Sequence, residues 1–249
     1  MRIYAIGDIH GQLDMLRAAH ARIEADRRAV RDPGAPVVHL GDLVDRGPDS
    51  RGVIDLLIDG TLGGAPWIVL KGNHDRMFVN FVRLGATGDP GLRPELTWLD
   101  PKLGGAETLA SYGVRSRRWT SRQGAFSAAA DAVPEHHLAF LDALPLMHVT
   151  PQLLFVHAGI RPGVPLPDQV EDDLIWIRSP FLEDDRNHGR LVVHGHTPVA
   201  TPEHYGNRID LDTGAGFGRS LTAAVFEGRD CFVLTDEGRV ALPPPPGYG

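Results

Sequence analysis

Residues 41–47 read "GDLVDRG", with two aspartates three positions apart and an arginine beside the second. The same plan recurs in "GDIHG" at 7–11 and "KGNHD" at 71–75. In each, polar residues follow an apolar run, and two later apolar runs end in His157 ("LLFVHAG") and His196 ("VVHGHT"). Collected, Asp8, His10, Asp42, Asn73, His157 and His196 offer two carboxylates, one amide oxygen and three imidazoles. Oxygen and imidazole ligands without thiolate suit borderline-hard divalent ions such as manganese, iron or zinc. Asp42 has two carboxylate oxygens and so can bridge two ions. Ions about 3.5–4 Å apart serve in-line displacement at phosphorus.

Such a site needs elements that bring its parts together. "RIYAIGD", "PVVHLGD" and "PWIVLKGNHD" read as buried strands. Between them, residues 12–30 show Leu13, Leu16, Ala19 and Ile23 at helical spacing, and "DSRGVIDLLIDG" reads as a helix stopping at Gly60. "RMFVNFVRL" begins a third helix. This alternation predicts parallel strands with crossover helices, and open α/β sheets place their ligand crevice at the strands' carboxyl ends. Gly7 and Gly11 allow tight backbone turns there.

The middle is different. Residues 85–122 are rich in Gly and Pro and finish in "VRSRRWTSR", while "PEHHLAFLDAL" reads as a helix with Pro134 in its first turn. The last third is strand-rich, from "LMHV" to "CFVLTD", and such strands can pair by hairpins as a second sheet. The expectation is one α/β domain over residues 1–240, with 85–122 as a variable segment and 241–249 as a Pro-rich tail.

The chain has 249 residues, 42% of them hydrophobic, enough for a substantial core. Its net charge of −7 disfavours broad attraction to nucleic acid or to an anionic membrane. A single cysteine, Cys231, excludes an internal disulfide and suits a reducing cytosol, so a cytoplasmic location is expected. The N-terminus has no signal-peptide pattern, and no apolar run approaches spanning length.

In this order, "GDIHG", "GDLVDRG", "GNHD", "HAG" and "GHT" resemble the calcineurin-like metallophosphoesterases of the phosphoprotein phosphatase family. The likeness is greatest to bacterial and phage serine/threonine phosphatases and to symmetrical diadenosine tetraphosphatases. It implies a two-sheet sandwich flanked by helices, four layers in the order α/β/β/α. It also implies two divalent ions, manganese foremost, one held by Asp8, His10 and Asp42 and the other by Asp42, Asn73, His157 and His196. His74 would be the general acid, Asp45 its orienting partner, and Arg46 a phosphate contact. Arg178 in "LIWIRSPF" would be the second phosphate-binding arginine, with Asn73 also near the substrate. An imidazole suits the acid role because it titrates near neutral pH, and guanidinium matches phosphate with paired donors.

The activity so implied is hydrolysis of phosphomonoesters, phosphoserine or phosphothreonine first, by attack of a metal-bridging hydroxide. The alternative is hydrolysis of diadenosine tetraphosphate or a related anhydride. From another class, the rival is a metal-binding interaction protein without catalysis. The expected partner is a phosphoprotein or a phosphorylated small molecule. The chain departs from the protein phosphatase pattern at Asp75, where Glu is usual. His194 sits two before His196 and is expected to pack or hydrogen-bond beside the site; His39, within a strand, is expected either in the core or hydrogen-bonded behind the site. Asp212 in "DTG" is expected in a turn. Arg115, Arg117, Arg118, Arg122 and Trp119 are candidates for substrate selection, against the plain reading of a solvated loop.

Overall fold

A computed structural model describes residues 1–115 and 121–247. The first third alternates as expected: β1 (Arg2–Ile6), α1 (Leu13–Val30), β2 (Val37–His39), α2 (Ser50–Leu62), β3 (Trp67–Val69) and α3 (Asn73–Leu84). Both β1–β2 and β2–β3 are parallel, so α1 and α2 are crossovers. The crossovers leave every polar motif at the same end of the sheet.

The strand-rich last third divides between two sheets. β4 (Met147–Val149), β5 (Leu153–Val156), β6 (Leu191–His194), β7 (Glu203–His204) and β8 (Arg208–Asp210) form a five-stranded sheet in the order β4-β5-β6-β8-β7. Here β5, β6 and β8 run parallel, contrary to the hairpin expectation. The long β5–β6 connection, which contains α7 (Glu171–Trp176), makes that possible. Hairpins do join β9 (Ala223–Glu227), β10 (Asp230–Thr235) and β11 (Gly238–Ala241). These strands return to the first sheet, where β9 pairs antiparallel with β1 and the order is β11-β10-β9-β1-β2-β3.

Strand alternation explains the layers. On β1, Ile3 and Ala5 face the second sheet, in a core with Val38, Phe155, Val193, Ile209 and Phe226. Tyr4 and Ile6 face the other way, onto Leu16, Ala19 and Ile23 of α1 and Val53 and Leu57 of α2. Outside the second sheet, Val156 and Val192 pack on Leu174 and Ile175 of α7. The order is helices, sheet, sheet, helix. Phe155 and Phe226 meet edge to face between the sheets at 5.7 Å; truncating either to Ala should cost about 3–5 kcal/mol. Cys231 is buried in the same layer, and burial pushes its thiol up to about 12.

Three boundaries differ from expectation. α2 runs past Gly60 to a cap at Gly63, because Gly60 lies against the Trp67 indole, where a side chain would collide. α3 begins at Asn73, so "NHD" forms its first turn rather than a strand end. The segment 85–122 is not simply a surface excursion. Trp98, Leu103, Leu109 and Tyr112 enter the helix-side core, and α4 (Gly105–Ser111) packs on α2. α5 (Arg122–Ala132) had no strong sequence signal, since only Ala125 and Ala129 are buried in it; Ser121 caps it by accepting the Gly124 N–H at 3.0 Å. α6 (Glu135–Asp142) follows Pro134 as expected. β11 reaches Ala241, and Leu242 N–H donates to the Cys231 carbonyl, so ordered pairing extends into the tail. No helix among the described residues is long and apolar enough to cross a membrane.

Candidate active site

The motifs are joined first by backbone. The N–H groups of Ile9 and His10 both donate to the Asp42 carbonyl, at 3.1 and 2.7 Å. Five site residues hold positive φ: His10 (47°), Asp42 (48°), Asp45 (75°), Arg46 (67°) and His196 (67°). Among the described residues, the other non-glycine residue in that region is Arg31, the left-handed cap of α1. Left-handed backbone costs a non-glycine residue on the order of 1–3 kcal/mol, and such strain collects where function requires a geometry.

Asp42 is the centre. Its Oδ2 lies 3.5 Å from His10 Nε2, and its Oδ1 lies 3.3 Å from His157 Nε2. The tautomers follow from the opposite ring nitrogens. His10 Nδ1–H donates to the Val44 carbonyl at 2.9 Å, and His157 Nδ1–H donates to the Leu40 carbonyl at 2.8 Å. A carbonyl can only accept, so both Nε2 atoms turn lone pairs toward the carboxylate. Asn73 Oδ1 adds a third acceptor, 3.0 Å from His157 Nε2. Across the site, His196 N–H donates to Asp8 Oδ2 at 3.0 Å. Asp8 Oδ1 and His196 Nε2 are buried without a hydrogen-bond partner.

Converging lone pairs and orphaned buried acceptors fit divalent cations. Candidate ligand atoms group as His10, Asp42 and His74, and as Asp42, His157 and His196, each set within 4.8 Å. Burial, reinforced by Arg46, pushes His10 well below its ordinary range; burial also lowers His157 and His196. Burial thus favours the neutral form of these imidazoles, which offers a lone pair to a cation. Burial pushes Asp8 up, reinforced by Asp212 and Asp42. Burial also pushes on Asp42, but the surrounding imidazoles outweigh it and hold that carboxyl low.

Asp75 accepts from Gly72 N–H and Leu43 N–H, at 2.8 and 2.9 Å. It therefore caps α3 and ties it to the "GDLVDRG" loop. The short acid makes both bonds, so the departure from Glu does not unseat His74. His74 N–H donates to Asp42 Oδ1 at 3.0 Å.

His74 Nδ1–H donates to Asp45 Oδ2 at 2.6 Å, and its Nε2 accepts from Arg46 Nη2 at 3.0 Å. Arg46 also donates to His10 Nε2 and lies over the Phe217 ring at 4.6 Å. Two partners of Asp45 escaped sequence reasoning. Trp98 Nε1–H donates to Oδ2 at 2.8 Å, and Thr108 Oγ1–H to Oδ1 at 2.6 Å. Neither lies in a recognisable motif, and only burial of their polar groups identifies them.

A cleft of about 310 Å³ opens over Asp42, Asn73, His74 and His196. Arg46 and Arg178 line it, with Arg178 Nη2 3.4 Å from the His196 carbonyl. Arg93, Lys102, Trp176 and Phe217 also line it, and none was anticipated. The segment 85–122 thus reaches the cleft through residues 91–103. Arg115 and Arg122 are exposed and do not line it; Arg117, Arg118 and Trp119 lie outside the described residues.

His194 does not flank the site. The strand ends there, and the left-handed turn at His196 separates the two rings. His194 packs against Phe181 and accepts from Arg208 at 3.2 Å. His39 is buried in β2, the core alternative of its expectation, and meets His20 at 2.9 Å beside Trp67. Asp212 accepts from Gly214 N–H at 2.8 Å, the expected turn, and burial pushes it up to about 6.

The chain is 26% identical over 238 residues to bis(5'-nucleosyl)-tetraphosphatase PrpE (asymmetrical) of Anoxybacillus flavithermus, covering 88% of this chain and 87% of the relative. It is 27% identical over 240 residues to the Bacillus subtilis protein of that name, covering 89% of each. A cold-active protein-tyrosine phosphatase of a psychrophilic Shewanella shares the fold, with a TM-score of 0.63 at 15% identity over 97% of this chain and 80% of that one. A metallophosphoesterase of Sphaerobacter thermophilus does so with a TM-score of 0.52 at 18% identity, over 98% and 89%. The model of the calcineurin-like phosphoesterase family matches residues 1–221, a span that holds every residue of the site, and the chain belongs to that family.

Proposed function

We propose that this hydrolase acts on dinucleoside polyphosphates, cleaving a phosphoric anhydride. The carrying observation is the cleft. Beyond Arg46 and Arg178 it presents Arg93 and Lys102, with the aromatic faces of Trp176 and Phe217. Two guanidinium groups suffice for one phosphate; four cations in one cleft suit a chain of phosphates, and aromatic rings in its wall suit a base. The names of the relatives point the same way, and they specify asymmetrical cleavage. This reverses the order expected from the motifs, which put phosphoserine and phosphothreonine first.

Asp8, His10 and Asp42 would hold one divalent ion, and Asp42, Asn73, His157 and His196 the other, manganese first and iron or zinc also suited. Bound ions supply Lewis acidity at the phosphoryl oxygens and lower the pKa of water. Arg46 and Arg178 hold the phosphoryl oxygens. In its doubly protonated form, with Arg46 turned from Nε2 to the phosphoryl group, His74 gives its Nε2 proton to the departing oxygen while its Nδ1–H stays hydrogen-bonded to Asp45. Leu92, Leu96 and Leu103 form an apolar wall that limits water around the leaving group.

The test is one substrate panel with the manganese-loaded enzyme: diadenosine tetraphosphate, a phosphoserine peptide, a phosphotyrosine peptide and p-nitrophenyl phosphate. Diadenosine tetraphosphate should give the highest kcat/KM. Lys102→Ala and Arg93→Ala should raise its KM more than that of p-nitrophenyl phosphate. A higher kcat/KM on either peptide overturns the proposal.

A further inference from the structure

Asp45 is wholly buried and carries three side-chain donors on two oxygens. Oδ2 receives both His74 Nδ1–H and the Trp98 indole N–H. Oδ1 receives the Thr108 hydroxyl, whose oxygen accepts the Asp45 N–H at 2.8 Å in return. Ser50 Oγ, 3.1 Å from Thr108 Oγ1, completes the ring. A carboxylate bound at one oxygen can rotate; one bound at both, within a left-handed backbone turn, cannot.

We infer that Trp98 and Thr108 are positioning residues for His74, fixing the Asp45 carboxylate so that Oδ2 meets the imidazole Nδ1–H. This rests on the general-acid reading of His74. Trp98 is fully buried, and its indole N–H has Asp45 as its acceptor. Its ring packs on Phe81 and Phe78 of α3, at 4.7 and 5.7 Å between centroids. α3 carries His74 in its first turn. One aromatic side chain therefore touches both the helix that presents the acid and the carboxylate that orients it. Gly105 fits under the Trp98 ring where a side chain would collide, which seats α4 and brings Thr108 to the other oxygen. The segment between α3 and α5 thereby supports the reaction from behind, apart from any part it takes in the cleft.

The experiment compares Trp98→Phe, Thr108→Val and Thr108→Ser with wild type and with His74→Asn. Trp98→Phe keeps most of the ring and removes the donor; Thr108→Val keeps the shape and removes the hydroxyl. Each should lower kcat on phenyl phosphate on the order of 10-fold, with KM little changed and a smaller loss on p-nitrophenyl phosphate. Thr108→Ser should restore most of the loss. Nitrogen-15 NMR of histidine in metal-free protein gives a second readout: the Nδ1–H tautomer of His74 should be uniform in wild type and mixed in Trp98→Phe and Thr108→Val. Wild-type kcat and tautomer in both variants overturn the inference. So do equal losses on the two aryl esters accompanied by weaker manganese binding, which mark a merely structural role. If His74→Asn itself shows no leaving-group dependence, the acid reading has failed instead, and the tautomer measurement still judges the clamp.

Discussion

His74 Nδ1 stands 2.6 Å from Asp45 Oδ2, and neither side chain is more than 4% exposed. Asp45 belongs to the loop after β2 and His74 to the first turn of α3, so the pair exists only because two crossovers end side by side. His74→Asn should keep the bound metal, since the proposed ligand set of Asp8, His10, Asp42, Asn73, His157 and His196 does not include His74. It should lose about 10²–10⁴-fold in kcat on phenyl phosphate, and less on p-nitrophenyl phosphate or on an anhydride, whose leaving groups depart with little protonation. Equal losses across that series would remove the acid role.

Asp42 turns one oxygen to His10 and the other to His157. Titration of metal-free protein with manganese should therefore approach two ions per chain. Asp42→Asn should weaken both binding events, whereas His10→Ala should weaken one more than the other. Full activity at a single bound ion would refute the two-ion arrangement.

His196 and His194 should part by phenotype. His196→Ala should lose metal affinity, measured by calorimetry, along with nearly all activity. His194→Ala should bind manganese normally and instead lose about 1–3 kcal/mol of stability in urea unfolding, because it removes one acceptor of Arg208 and leaves a gap beside Phe181. The reverse pattern would exchange their roles.

Acid should destabilise the protein partly through His20. Burial, reduced by Glu24, lowers this imidazole to about 4 where it meets His39. Between its unfolded value near 6.5 and that folded value, the unfolded chain binds the extra proton. The group's contribution is thus intact above about pH 6.5 and is lost as pH falls toward about 4. From pH 7 to pH 5 the loss is on the order of 2 kcal/mol. Urea unfolding of metal-free protein should show it, and His20→Phe should flatten that part of the profile. An unchanged slope in the variant would exclude His20 as its source.

Asp8, His10, Asp42, Asn73, His157 and His196 were legible because each lies within four residues of the end of an apolar strand. A strand's end is a local property, and parallel pairing carries all such ends to one edge. The strand–helix alternation of the first third was legible for the same reason. Tertiary structure alone decided that β9–β11 return to the first sheet, since a strand's own residues do not say which edge it will join. It alone separated His194 from His196, because the left-handed turn between them is held by the bond from His196 N–H to Asp8, far away in sequence. It alone brought Arg93, Lys102 and Phe217 to the cleft, and Trp98 and Thr108 to Asp45. Those five stand in no motif and have no periodicity of their own, and their roles come from partners supplied by folding.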